Sequence, residues 1–255
     1  MLSDSQLMPI RAVVFDLFDT LVDLSMDTLP RVAIEGREIP STACALHQAI
    51  GARTAVAFAE FTRALAAVDR EWRATHWERD REFTTLERFA RVAKALGIED
   101  PEVPRILTGV HMGMLESIAV APPHHAALLA RLHQRFRIGL CSNWTWTPSA
   151  LVILEATQLR ASLDAVVISA DHGLRKPRRE IFESALAALG VAPEEAVHVG
   201  DNLKADVGGA AALGIRTVWI TRRVRDPAAA LASHTGARPD HVIADLAELE
   251  GVLAG

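Results

Sequence analysis

The sequence predicts an α/β protein built around a parallel sheet, with one long helical segment set into it. Three observations carry this. Short β-branched runs alternate with amphipathic helical stretches over most of the chain, the pattern of strands joined by crossover helices. Residues 22 to about 120 break that alternation, with almost no buried-strand signal and a helical apolar period instead. Acidic, hydroxyl and basic residues stand directly after several predicted strands, where open parallel sheets bind ligands.

The elements follow in order. The opening MLSDSQLMPIRAVV contains Asp4, lacks a positively charged leader and runs straight into a strand, so we expect no secretory signal and a cytoplasmic protein. RAVVFD (11–16) is the first strand. RVAIEGREIP (31–40) alternates around Glu35 and Gly36 and predicts a small hairpin. Phe58, Phe61, Leu65, Val68 and Trp72 recur at helical spacing, a stripe that reads as core packing. Thr84 with Glu87 reads as a capping box ahead of Leu86, Phe89, Val92, Ala93 and Leu96. Further strands are RIGLC (137–141), AVVIS (165–169), AVHVG (196–200), RTVWI (216–220) and HVIA (241–244). Between them, residues 179–189 place Ile181, Phe182, Ala185, Leu186 and Leu189 on one helix face, with Gly190 where a left-handed cap is expected. Asp245 and Glu248 form the capping box of the last helix.

Composition narrows the function classes. At 255 residues the chain can bury a full core plus an insert. Mean hydropathy is +0.16, and no apolar run is long enough for a membrane span. A net charge of -5 gives no electrostatic footprint for nucleic acid, so a small molecule is the expected partner, and the oligomeric state is left open. Cys44 and Cys141 stand far apart without a CxxC partner, which argues against disulfides or structural zinc. His124, His125 and His198 have no metal-ligand spacing.

Four stretches carry the chemistry: VVFDLFDT, with Asp16 and Thr20; GLCSNW, with Ser142 and Asn143; GLRKPRREIF, with Lys176; and VHVGDNLKADVGGA, with Asp201 and Asp206. Each alone has an ordinary structural explanation, as an N-cap, a turn or a helix start. Together, carboxylates, a hydroxyl with adjacent backbone N–H groups and one ammonium at neighbouring strand ends suit a divalent cation and a phosphoryl group. Several acids in one crevice are costly without a cation, and Mg2+ is the simplest one.

In their order and spacing these motifs resemble the haloacid dehalogenase-like hydrolase superfamily. The resemblance implies a three-layered Rossmann-like core (residues 1–21 and 121–255) with an inserted, mainly helical cap (22–120). Most members of that family are Mg2+-dependent phosphatases that work through a phosphoaspartate. Carried over, Asp16 would be the nucleophile and a metal ligand, the Phe18 backbone carbonyl a second ligand and Asp201 a third. Asp206 would orient metal-bound water or Lys176, and Thr20 would support the site from behind. Ser142 and the Asn143 backbone N–H would hold phosphoryl oxygens, while Lys176 would offset negative charge on Asp16 and the phosphate.

Phe18 departs from the pattern. Phosphatase members carry there an Asp that protonates the leaving oxygen, help worth typically about 10² to 10⁴ in rate. Asp19 is adjacent, but a one-residue shift would move Thr20 and Leu21 out of register. The dehalogenase branch has an aromatic Tyr at this position. It is metal-free, however, with Ser where this chain has Asp201 and Tyr where it has Phe182; the chain contains no Tyr. The resemblance therefore implies a Mg2+-dependent phosphatase acting on a small phosphorylated metabolite. A 2-haloacid dehalogenase-type hydrolase and a weakly active or non-catalytic phosphate-binding relative stay as alternatives. For substrate selection, Arg70, Arg73, His76, Arg79 and Arg81 beside Trp72 and Trp77 could clamp a carboxylate or second phosphate, or form a solvated charged face. Trp144 and Trp146 stand just beyond the phosphoryl loop, one to line the entrance and the other to pack beneath it.

Overall fold

The computed structural model describes residues 9–34 and 36–254. The acidic start around Asp4 and the hairpin tip at Glu35 lie outside the described residues. The chain enters through β1 (Ala12–Phe15), which is buried at all four positions. Short β2 (Asp23–Leu24) then leads to β3 (Arg31–Ile34) and β4 (Arg37–Pro40), an antiparallel pair in which Val32 faces Ile39. Four helices follow: α1 (Ala43–Ile50), α2 (Phe58–Thr75), α3 (Thr85–Ala95) and α4 (Glu102–Ser117). After β5 (Ala119–Val120) the chain alternates as expected: α5 (Pro123–His133), β6 (Arg137–Ser142), α6 (Thr147–Ala156), β7 (Ala165–Ile168), α7 (Ser169–His172), α8 (Arg179–Leu189) and β8 (Ala196–Gly200). A π-helical turn (Leu203–Gly208) and α9 (Gly209–Ala211) lead to β9 (Arg216–Ile220), α10 (Pro227–Ser233), β10 (His241–Ile243) and α11 (Leu249–Ala254).

Six strands form one parallel sheet in the order β10-β9-β8-β1-β6-β7. β1 is central because both its faces find apolar cover. Val13 and Phe15 join a cluster with Leu128, Leu129 and Leu132 of α5 and Ile153 and Leu154 of α6. The alternate residues, Ala12 and Val14, join Ile181, Phe182, Ala185, Leu186 and Leu189 of α8 on the other side. The core therefore has three layers, helix, sheet and helix, the Rossmann-like fold expected.

The helical cap has a core of its own. Leu46 and Ile50 of α1 meet Phe61, Leu65, Val68 and Trp72 of α2, Phe89 and Val92 of α3, and Leu107 of α4. The Thr84–Glu87 capping box forms as read, and so does the Asp245–Glu248 box. The chain's two crossings between core and cap lie side by side, since Asp23 pairs with Val120 and Leu24 with Ala119. A second seam joins Leu29, Met112 and Leu115 to the half-buried indoles of Trp144 and Trp146, so both tryptophans pack under the cap. No helix among the described residues is long and apolar enough to cross a membrane. Cys141 is fully buried and Cys44 half-buried, both free.

Candidate active site

The parallel register delivers the motif residues to one end of the sheet. Asp16 follows β1 directly, and its N–H still donates to Val199 O at 2.9 Å, so its backbone belongs to the ladder. β6 beside it ends on Ser142, which is 1% exposed. On the other flank β8 ends at Gly200, where a Cβ would meet Asp206 Cγ at 2.3 Å, so only glycine fits. Asp201 comes next, its carbonyl held at 2.7 Å by the Trp219 indole N–H. Asn202 then caps the π-helical turn, accepting from the N–H groups of Lys204 and Ala205. That turn carries Asp206 back beneath the strand end.

Lys176 links the two halves. Its Nζ lies 2.8 Å from Asp16 Oδ1 and 2.6 Å from Asp206 Oδ1. Burial works against its charge, but Asp16 and Asp206 outweigh burial and hold it protonated well above the ordinary lysine range. Asp206 is likewise buried, yet Lys176 and a hydrogen bond from His198 Nε2 at 2.9 Å hold its carboxyl well below the usual value. Its other oxygen accepts the Asn202 N–H at 3.0 Å. Asp16 goes the other way: burial raises it more than Lys176 lowers it. Asp201 is pushed up to about 8 by burial and by the charges of Asp16, Asp206 and Asp19. Asp16, Asp201 and Asp206 offer carboxylate oxygens all within 4.8 Å of one another, with one ammonium among them. The crevice thus holds more negative charge than its own cation offsets, the electrostatic condition for a further cation.

The loop after β1 turns tightly. Asp19 takes a left-handed conformation at φ 57°, and its N–H donates to Val22 O at 2.7 Å. Its side chain accepts from Arg223 Nε at 3.3 Å. Phe18 packs its ring on Trp144, and Thr20 is fully buried, its hydroxyl without a hydrogen-bond partner among the described residues. Asn143 has a duty that the sequence did not suggest. Its side chain accepts the Lys176 N–H at 2.8 Å and donates to the Lys176 carbonyl at 3.1 Å, fixing the lysine's backbone.

Sequence reasoning missed His198. Its signal was a polar residue in the otherwise apolar AVHVG strand, two positions before Gly200 and so on the same sheet face. The arginine-rich segment does not form one helix. α2 stops at Thr75, a 3₁₀ turn spans Trp77–Arg79 and Asp80 is left-handed at φ 53°. Arg70, Arg73, Arg79 and Arg81 are exposed, with Arg73 lying 5.6 Å from the Trp77 ring centroid. His124, His125 and Asp245 come together although their spacing gave no hint of it. His124 Nε2 already pairs with Asp245 Oδ1 at 2.7 Å, the same oxygen accepts the Ala247 N–H at 2.9 Å, and His125 Nδ1 bonds the Leu21 carbonyl at 2.8 Å, so the group is engaged by its own contacts.

Three carboxylates, a buried lysine and a serine thus meet at the strand ends of a parallel sheet that carries an inserted helical cap. The chain belongs to the haloacid dehalogenase-like hydrolase family, whose pattern matches residues 10–214. It is 31% identical to a glyceraldehyde 3-phosphate phosphatase of Methanopyrus kandleri over 221 residues, 84% of each chain. It is 45% identical to a phosphoserine phosphatase of Thermus thermophilus over 86 residues, a stretch that covers 33% of this chain and 31% of that one. Among solved structures, a 2-haloacid dehalogenase from Pseudomonas syringae shares the fold at a TM-score of 0.67 and 23% identity, covering 96% of this chain and 98% of that one.

Proposed function

We propose that this hydrolase is a Mg2+-dependent phosphatase that acts on a small phosphorylated metabolite through an aspartyl-phosphate on Asp16. The observation that carries the reading is the gathering of Asp16 and Asp201 in one crevice, where burial and the neighbouring carboxylates push Asp201 up to about 8. The donor set is all oxygen, which fits Mg2+ rather than a softer metal. Asp16, Asp201 and the Phe18 carbonyl would hold the ion, which when bound would offset charge on the transferring phosphoryl group. The division into core (1–21, 121–255) and cap (22–120) belongs to the same reading and is supported by the β2–β5 pairing at the crossings.

The residues then divide the work. Asp16 attacks phosphorus through one carboxylate oxygen, and the ester or anhydride P–O bond breaks with its electron pair leaving on the departing oxygen. Ser142 and the Asn143 N–H receive phosphoryl oxygens, and Lys176 balances charge on Asp16. Water then attacks phosphorus, releasing inorganic phosphate and restoring the carboxylate. Phe18 offers no proton to the departing oxygen, so leaving groups stable as anions react best: aryl phosphates, acyl phosphates and phosphoanhydrides.

One observation favours a second reading, hydrolysis of a carbon–halogen bond. An aromatic pair, Phe18 with Trp144, stands beside the nucleophile, and a halide needs no proton to depart. A panel of phosphates and 2-haloacids, each with Mg2+ and with EDTA, separates the readings. Phosphate release that EDTA abolishes supports the first, and halide release that ignores EDTA overturns it. Flat rates on both panels, with Asp16→Asn indistinguishable from the parent, would mark a non-catalytic phosphate binder.

A further inference from the structure

We infer that Glu82 is a positioning residue: one cap carboxylate holds both the loop that follows Ser142 and the loop that carries Lys176, so that seating the cap aligns the site. The inference deepens the phosphatase reading and rests on it for its activity measurement only.

A buried carboxylate is costly unless fully partnered, so its partners show what it is for. The Glu82 side chain is 1% exposed. Two partners are local: the Trp77 indole N–H and the Phe83 N–H, both donating to Oε1 at 3.2 Å. Two come from the core. Ser169 Oγ donates to Oε2 at 2.5 Å, and Arg175 Nη1 donates to Oε1 at 3.1 Å.

Each core partner leads to the site. Ser169 Oγ also accepts the Trp144 N–H at 2.9 Å, and the Ala170 N–H donates to Trp144 O at 3.1 Å, so the backbone two residues past Ser142 is fixed from beneath. Arg175 directly precedes Lys176, whose ammonium lies between Asp16 and Asp206. The backbones run together as well. The Glu82 N–H donates to Gly173 O at 3.0 Å, the Arg175 N–H donates to Asp80 O at 3.1 Å, and Arg81 bridges Leu174. The Arg175 guanidinium lies 5.0 Å from the Trp77 ring centroid. A cap that only packed would need an apolar residue here. This one ends in a carboxylate shared between the two loops that meet the phosphoryl group.

Glu82→Gln keeps the shape and removes the charge. Amide hydrogen exchange on the full-length parent and variant should show the peptides containing Trp144 and Lys176 exchanging about 10-fold faster, while α1 and α4 keep their rates. With p-nitrophenyl phosphate and Mg2+, kcat should fall about 10-fold or more with KM moved less than about 3-fold, the signature of misalignment rather than weaker binding. Ser169→Ala, which keeps the Arg175 pair, should free the Trp144 peptide and leave the Lys176 peptide protected. Acceleration confined to residues 77–83 or spread evenly over the chain, or protection of both loops in Ser169→Ala, overturns the inference. An inactive parent would count against the phosphatase reading, and the exchange pattern would still decide the coupling.

Discussion

The ring of Phe18 lies against the indole of Trp144, centroids 4.2 Å apart and planes tilted by 39°. The position two residues after the proposed nucleophile is therefore part of an aromatic wall continuous with the core cluster. Phe18→Asp should raise turnover of an alkyl phosphate relative to p-nitrophenyl phosphate, because general acid help is worth typically about 10²-fold or more. Loss of the ring contacts should cost about 1–3 kcal/mol of stability by urea titration. An unchanged alkyl-to-aryl ratio in a folded, Mg2+-binding variant would show that Phe18 does not set the leaving-group preference.

Asp19 is turned toward Arg223 in a left-handed bend. Asn tolerates that backbone well, so Asp19→Asn should keep kcat within about 3-fold of the parent. Loss of activity with the fold intact would identify Asp19 as a displaced proton donor.

Asn143→Ala removes both side-chain bonds to the Lys176 backbone. Leaving buried polar groups unpaired costs about 1–3 kcal/mol, read by thermal or urea unfolding, and kcat should fall as Lys176 loses its alignment. Equal stability and activity in parent and variant would mean that the clamp contributes nothing.

Asp201 gives the pH dependence. Without metal its carboxyl, raised to about 8, keeps a proton that the unfolded chain has lost above its ordinary value of 3.8. The stability from that proton is complete below the unfolded value and is lost as pH rises through about 8. In the proposed metal site Mg2+ would displace the same proton, so calorimetric affinity should climb up to about 10-fold per pH unit below pH 8 and level off above it. A flat profile, or identical Mg2+ binding by Asp201→Ala, would contradict the assignment.

Much of the fold was legible because each signal was local. Residues 196–200, 216–220 and 179–189 form the expected elements without shift, and both capping boxes close as read. Ends moved where a neighbouring contact intervened: β7 stops at Ile168 because Ser169 turns into α7 beneath Trp144, and β6 gains Ser142 by pairing with Ile168. The site's residue types and their order could be read, but the partners that set their charge could not. His198 beneath Asp206, the Asn143 side chain on Lys176 and Glu82 on Ser169 are contacts across 8, 33 and 87 residues. No local period encodes them, since they exist only once the sheet order is fixed.

The proposed chemistry requires a phosphoryl group carried on Asp16, which rapid-quench mass spectrometry of the protein mixed with p-nitrophenyl phosphate and Mg2+ would detect. The mass of one phosphoryl group should appear on the peptide containing Asp16, absent with EDTA and absent in Asp16→Asn. Steady phosphate release with no such adduct at any quench time, or turnover that persists in Asp16→Asn, would contradict it.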